Sequence, residues 1–74
     1  MFEKIVQIIS EHQGVDPEII KTETHLISDL GLNSFDVITL VTRFEDEFNI
    51  EIPDRMIKQL QTVQDVSDNL SKLL

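Results

Sequence analysis

The sequence lacks cysteine altogether, and its runs of apolar residues are short. Without cysteine the chain forms neither disulfide bonds nor a thiolate metal site, which is consistent with a reducing compartment. No apolar run is long enough to cross a membrane, and the first residues, MFEK, carry an acid where a signal peptide would be basic and apolar. We therefore expect a cytoplasmic protein without membrane insertion.

Basic residues are also scarce. The chain has six lysines and arginines against 14 acidic residues, which gives a formal net charge of −8. This balance argues against nucleic acid as a partner, because phosphates are bound by Lys and Arg. It favours protein partners with basic docking patches. The charge is uneven, since residues 29–54 carry a net −6 with Arg43 as their one base.

A chain of 74 residues predicts a single domain spanning 1–74. A domain of this size buries only about 60–65% of its unfolded surface, so its core is small. Apolar residues make up 41% of the sequence and recur with helical spacing, which predicts a folded chain despite the high charge. No strand-like alternation persists, so the expected fold class is all-α.

The periodicity predicts a bundle of three main helices and one short helix. The first helix spans about residues 2–12 and stops before Gly14, and the second spans about 34–48. The short third helix begins at residue 53 or 54. The fourth begins after Thr62 and continues to the C-terminus.

A long loop connects the first two helices. We expect at most a short helical turn there, which is capped by Asp16, begins at Pro17 and ends at about Ile20. The remaining loop, residues 21–32, contains four apolar side chains that we expect to anchor it to the core: Leu26, Ile27, Leu30 and Leu32.

The start of the second helix is marked twice. Asn33 is a good N-cap, and Asp36 lies three residues later, as in a capping box with Asp in place of Glu. Thr62 and Asp65 repeat the same pattern at the start of the fourth helix. These pairs fix both helix starts in the prediction.

A helical projection of residues 34–48 separates core from surface. Phe35 falls on the polar side, and Ile38 is marginal. Phe35 either folds back onto the preceding loop or contacts a partner, because aromatic side chains anchor interfaces well. Five apolar residues form one stripe about 100° wide, which is the expected core face: Val37, Leu40, Val41, Phe44 and Phe48.

Ser34 is the leading candidate for a functional residue. Because Asn33 already serves as the cap, Ser34 takes the first helical position, with its hydroxyl outward at the positive end of the helix dipole. A phosphate linked there would be stabilised by about 0.3–1 kcal/mol. As a nucleophile Ser34 lacks a base, since His12 and His25 are interpreted as ordinary surface or loop residues, and G-x-S-x-G is absent. We expect no catalytic residue.

The run Glu45-Asp46-Glu47 is the one candidate for cation binding. It lacks the alternating ligands and turn glycine of an EF-hand loop, so we predict no specific metal site. Two interpretations stay open from the residues alone: a solvated helix face, and a docking surface for basic partners.

The sequence DLGLNSFDVITLVTRFEDEFNIEIPDRMIKQLQTVQDVSDNL resembles an acyl carrier protein. The motif combines D-x-G-x-[D]-S-[L] around the serine, an acidic helix ending in FEDEFNIEIPD, and the capped last helix TVQDV. The resemblance implies an acyl-carrier-like four-helix bundle. It further implies that a phosphopantetheinyl transferase attaches 4′-phosphopantetheine from coenzyme A to Ser34, and that the bundle core shelters the acyl chain.

The resemblance also implies a function and partners. The arm would carry acyl groups as thioesters between enzymes of fatty acid or related lipid biosynthesis, such as acyltransferases and ketoacyl synthases, and the carrier would have no catalytic activity. We expect a monomer, because a carrier must visit many enzymes. The second helix would be the docking surface, with contacts from Phe35, Asp36, Ile38, Thr39, Thr42, Glu45, Asp46 and Glu47.

Three departures from the family pattern bear on partner identity. Asn33 replaces the usual Asp beside the serine, Phe35 replaces the usual Leu, and Thr39 stands at an often acidic position. They are compatible with a specialised carrier. The alternatives are a stand-alone carrier of aminoacyl or polyketide intermediates and a carrier-like interaction module that never takes the arm, with an autonomous hydrolase third.

Overall fold

A computed structural model describes all 74 residues. The chain forms four α-helices and one 3₁₀ turn, and no strand beyond an isolated bridge between His25 and Thr62. The all-α prediction of three main helices and one short helix is confirmed. None of the helices is both long and apolar enough to span the hydrocarbon core of a membrane. The elements are α1 (Phe2–Gln13), the 3₁₀ turn (Pro17–Ile19), α2 (Ser34–Phe48), α3 (Asp54–Ile57) and α4 (Val63–Ser71).

The helix starts follow the predicted caps. The Asn33 side chain accepts a hydrogen bond from the Asp36 amide at 2.9 Å, and Asp36 accepts one from the Asn33 amide at 3.1 Å. Thr62 and Asp65 form the same reciprocal pair at α4. Each box satisfies two amides that a helix start otherwise leaves without a partner.

The helix ends differ slightly from the prediction. α1 is one residue longer than expected and stops where Gly14 adopts the left-handed conformation, with φ of 69°. α4 ends at Ser71 instead of continuing to the C-terminus. Neither shift changes which face of a helix points inward.

One hydrophobic core holds the three main helices together. It contains 17 buried apolar residues, centred on side chains such as Ile5, Phe44 and Val66 that have almost no contact with solvent. Four of the five residues of the predicted α2 stripe are buried, whereas Phe48 is only half-buried and packs at the edge. The core face of α2 is therefore confirmed with that correction.

The long loop between α1 and α2 is tied to the bundle by its backbone and its leucines. The Leu26 amide donates a hydrogen bond to the Gln61 carbonyl, and the Val63 amide donates one to the Thr24 carbonyl. These two bonds join the loop to the start of α4. Leu26, Leu30 and Leu32 are buried as predicted. The prediction that Ile27 is an anchor is wrong, because Ile27 is 52% exposed.

Candidate functional site

Ser34 is exposed at the first position of α2. Its own amide and that of Phe35 donate no hydrogen bond within the protein, because the capping box reaches only the amides of Asn33 and Asp36. The serine hydroxyl therefore lies beside two free N–H groups at the positive end of the helix dipole. This arrangement suits a phosphodiester.

The turn leading into Ser34 requires a glycine. Gly31 has a φ of 71°, in the left-handed region that side chains with a Cβ rarely adopt. The Gly31 amide donates a hydrogen bond to the Ile27 carbonyl, and the Leu32 amide donates one to the Leu26 carbonyl. With Leu30 and Leu32 buried on either side, this turn fixes where Ser34 emerges from the loop.

Three exposed apolar side chains lie on the elements that meet at Ser34. Phe35 is 81% exposed, which rules out the interpretation that it folds back onto the loop. Ile38 is 54% exposed and lies one turn further along α2. Ile27 and Ile38 both line the cavity that opens beside Ser34. An apolar surface at this place is available for contact with a partner.

The cavity has a volume of about 450 Å³ and is shared by the loop, α2 and the chain around α3. Ser34 lines it together with apolar residues of α2, of α3 and of the chain after α3, among them Val37, Ile57 and Leu60. His25, Lys58 and Gln61 also line the cavity. The residues present therefore fit a phosphate-linked arm on Ser34, with apolar space next to the attachment point.

The acids of α2 are not equivalent. Glu45 accepts a hydrogen bond from the Ile52 amide at 2.8 Å, and Glu47 lies 3.9 Å from Lys4. Asp46 makes no hydrogen bond or ion pair. The structure contains no cluster of three or more side chains placed to hold a metal ion. Asp46 is thus the predicted docking acid most free to meet a basic partner.

Asp36 is engaged on both carboxylate oxygens. One oxygen accepts the Asn33 amide, and the other lies 3.2 Å from Nε2 of His12. The hydrogen bond from the Asn33 backbone, and secondly the one from His12, lower the pKa of the Asp36 carboxyl below its usual value of 3.8. Asp36 is therefore an anion that also serves the helix start.

The two predicted threonine contacts are exposed on α2. The hydroxyl of Thr39 donates to the Phe35 carbonyl at 3.0 Å, and that of Thr42 donates to the Ile38 carbonyl at 3.2 Å. Both hydroxyls are thus used within the helix, so neither side chain depends on a partner for its hydrogen bond.

The sequence interpretation missed the contacts of both histidines and of Arg43. His12 reaches Asp36, and Nδ1 of His25 accepts the amides of Ile27 and Ser28 at 3.2 and 3.1 Å. Arg43 pairs with Glu11 at 2.9 Å, so the one base of the acidic segment points at α1. These partners are far apart in sequence or lie in a loop, and no periodic pattern indicates them.

Comparison with known proteins agrees with this geometry. Residues 3–70 match the family model described as the phosphopantetheine attachment site. An acyl carrier protein of Bdellovibrio bacteriovorus is 48% identical over 93% of this chain and 88% of its own length, and one of Syntrophobacter fumaroxidans is 46% identical over 93% and 85%. A solved structure of a putative acyl carrier protein from Mycobacterium tuberculosis superposes with a TM-score of 0.86 at 30% identity, covering 97% of both chains.

The chain belongs to the acyl carrier protein family. Membership implies a covalently attached 4′-phosphopantetheine as prosthetic group, and interaction with the transferase and the biosynthetic enzymes that carrier domains serve.

Proposed function

We propose that residues 1–74 act as one carrier domain that holds acyl groups on a 4′-phosphopantetheine arm attached to Ser34, and delivers them between enzymes of fatty acid or related lipid biosynthesis. The domain works as a cytoplasmic monomer without catalytic activity of its own. The arm, when bound, supplies the thiol that carries the acyl group as a thioester. The protein supplies the attachment point, the docking surface and an apolar cavity for the acyl chain.

One observation carries the attachment proposal: Ser34 presents an exposed hydroxyl beside two free amides at the start of α2. No base is within the hydrogen-bonding network of Ser34, so activation of the hydroxyl falls to the transferase. The free amides and the helix dipole favour the phosphodiester once it has formed.

The exposed face of α2 supports the docking role. Phe35 and Ile38 provide apolar contact, and Thr39 and Thr42 lie between them and the acids further along the helix. The acids favour partners that present lysines and arginines. We propose that the docking surface consists of Phe35, Asp36, Ile38, Thr39, Thr42, Glu45, Asp46 and Glu47.

The cavity beside Ser34 supports an acyl cargo. Its apolar residues, such as Val37 and Leu60, offer space next to the attachment point in which an acyl chain leaves water.

A delivery assay tests the pathway. The phosphopantetheinylated protein is loaded with a malonyl or acyl group and offered to a ketoacyl synthase, and the thioester products are identified by mass spectrometry. We expect loading and condensation. A modified protein that accepts only amino acids from an adenylating enzyme would contradict the lipid assignment while leaving the carrier role intact.

A further inference from the structure

The last turn of α1 contacts the chain both before and after Ser34. Nε2 of His12 lies 3.2 Å from Oδ1 of Asp36, and Nε2 of Gln13 donates to the Leu30 carbonyl at 2.7 Å. Leu30 precedes Ser34 and Asp36 follows it. We name residues 30–36 the attachment segment, and His12 and Gln13 together the α1 clamp.

The His12 contact completes the capping of α2. Asp36 uses Oδ2 to accept the Asn33 amide, so a hydrogen bond to Oδ1 fixes the carboxylate in the orientation that closes the capping box. The His12 and Asp36 side chains are 18% and 33% exposed, so water competes less for this bond than for a fully exposed pair.

The Gln13 contact holds the other side. The Leu30 carbonyl accepts no backbone hydrogen bond, so the Gln13 amide is its partner within the protein. Between Leu30 and Asp36 the chain passes through the left-handed turn at Gly31, and only Leu32 is buried. The two side chains of the α1 clamp therefore hold the ends of the attachment segment, while the amides of Gly31 and Leu32, which donate to the carbonyls of Ile27 and Leu26, hold its middle.

We propose that His12 and Gln13 are positioning residues for the modification of Ser34: the α1 clamp holds the attachment segment in the conformation on which the transferase acts. The inference rests on the proposed function. Without the clamp the segment samples more conformations, and the transferase must select the productive one, which lowers its apparent efficiency.

The clamp acts separately from the packing of α1 on α2. Arg43 joins the two helices through residues that precede the clamp, with hydrogen bonds to Glu11 at 2.9 Å and to the Ile8 carbonyl at 3.4 Å. The buried residues of α1, such as Ile5 and Ile9, make the hydrophobic contact. Loss of the clamp is therefore expected to loosen the attachment segment and leave the bundle intact.

The test uses the full chain with substitutions His12→Ala, Gln13→Ala and both together. His12→Gln is the rescue variant, because a glutamine Nε2 stands the same number of bonds from the backbone and donates equally well. Gln7→Ala is the matched control, since Gln7 is exposed on the same helix and its side chain donates one hydrogen bond, to Glu11 at 3.4 Å. Two readouts are taken: kcat and KM of phosphopantetheine transfer from coenzyme A, and amide hydrogen exchange.

We expect the double variant to lose about tenfold in kcat/KM, as for the loss of one to two hydrogen bonds. Exchange should accelerate in residues 31–37 and remain slow in the cores of α1 and α4. A chain with Gln at position 12 should have a kcat/KM within about twofold of the chain with His12, whether Gln13 is intact or replaced by Ala. Gln7→Ala should have the kcat/KM of the wild type.

If the transferase modifies the wild type normally, two results would overturn the inference. One is an unchanged kcat/KM in the double variant. The other is faster hydrogen exchange across all helices of the double variant, which would mean general destabilisation. A wild-type chain that the transferase does not modify contradicts the proposed function instead. In that case the exchange comparison of residues 31–37 alone decides whether the clamp exists.

Discussion

Phe35 is a large aromatic residue that the core does not use. With 81% exposure it contributes little to stability, so Phe35→Ala should change the free energy of unfolding by less than about 0.5 kcal/mol. The same substitution should weaken the complex with a transferase or ketoacyl synthase, because an exposed aromatic beside the attachment serine is a typical interface anchor. Urea denaturation and calorimetric titration measure the two effects.

Phe44→Ala is the matched control, since Phe44 is 1% exposed at the centre of the core. It should cost about 3–5 kcal/mol. If Phe35→Ala costs about 2 kcal/mol or more, Phe35 belongs to the core and its assignment to the docking surface is wrong.

Asn69 is a polar residue in the core of α4. Its amide nitrogen donates to the Asp65 carbonyl at 2.8 Å, but its Oδ1 is buried without a partner. Asn69→Leu should therefore raise the free energy of unfolding by about 1 kcal/mol, because the unpaired oxygen is removed. Asn69→Asp should lower it, because a charge is then buried. Urea denaturation that shows Asn69→Leu to be destabilising would contradict this account.

At the scale of elements, the start of α2 depends on an ionised Asp36. The pKa of the Asp36 carboxyl in the folded protein lies below its usual value of 3.8. The carboxylate therefore stabilises the fold fully above pH 3.8, and this stabilisation is lost as the pH falls through the lower pKa of the folded state. Asp36→Asn should be less stable than the wild type near neutral pH, and this difference should shrink below pH 3.8. Thermal melts across that range measure it.

Asp46→Asn is the control for that experiment, because Asp46 lies on the same helix without a hydrogen bond or ion pair. It should not be less stable than the wild type near neutral pH, because it removes repulsion without removing a hydrogen bond, so only Asp36→Asn should show a loss of stability that shrinks as the pH falls. A difference for Asp36→Asn that stays constant with pH would show that the carboxylate does not hold the helix start.

The sequence predicts the helices better than their connections. The start of α2 follows from Asn33 and Asp36, because capping depends on residues three positions apart. The core face follows from helical periodicity, with Phe48 misjudged only in degree. A loop has no such period, so nothing in the sequence distinguishes buried Leu26 from exposed Ile27.

The candidate site shows the same division. The positions of Ser34 at the helix start and of Phe35 on the polar face are predictable, because both follow from position in a single helix, whereas the sequence leaves open whether Phe35 folds back onto the loop. The contact of His12 with Asp36 joins α1 to α2 across 24 positions of sequence, so it depends on how the helices pack. The cavity beside Ser34 likewise requires three elements to meet.

For the whole molecule, the uneven charge opposes folding. Residues 29–54 carry a net −6 of the total −8, and few basic side chains face them. Added salt or millimolar Mg²⁺ should therefore raise the melting temperature, because screening weakens the repulsion. Asp46→Asn should raise it as well and reduce the gain from salt. A melting temperature that does not respond to salt would contradict this account.

The central claim is that Ser34 carries the arm. The most direct test is the intact mass of the protein after incubation with coenzyme A and a broad-specificity phosphopantetheinyl transferase. Ser34→Ala is compared with Ser28→Ala, which alters another exposed serine, in the preceding loop. We predict that the wild type and Ser28→Ala each gain one phosphopantetheine and that Ser34→Ala gains none. A gain that survives Ser34→Ala, or a wild type that gains nothing, would contradict the claim.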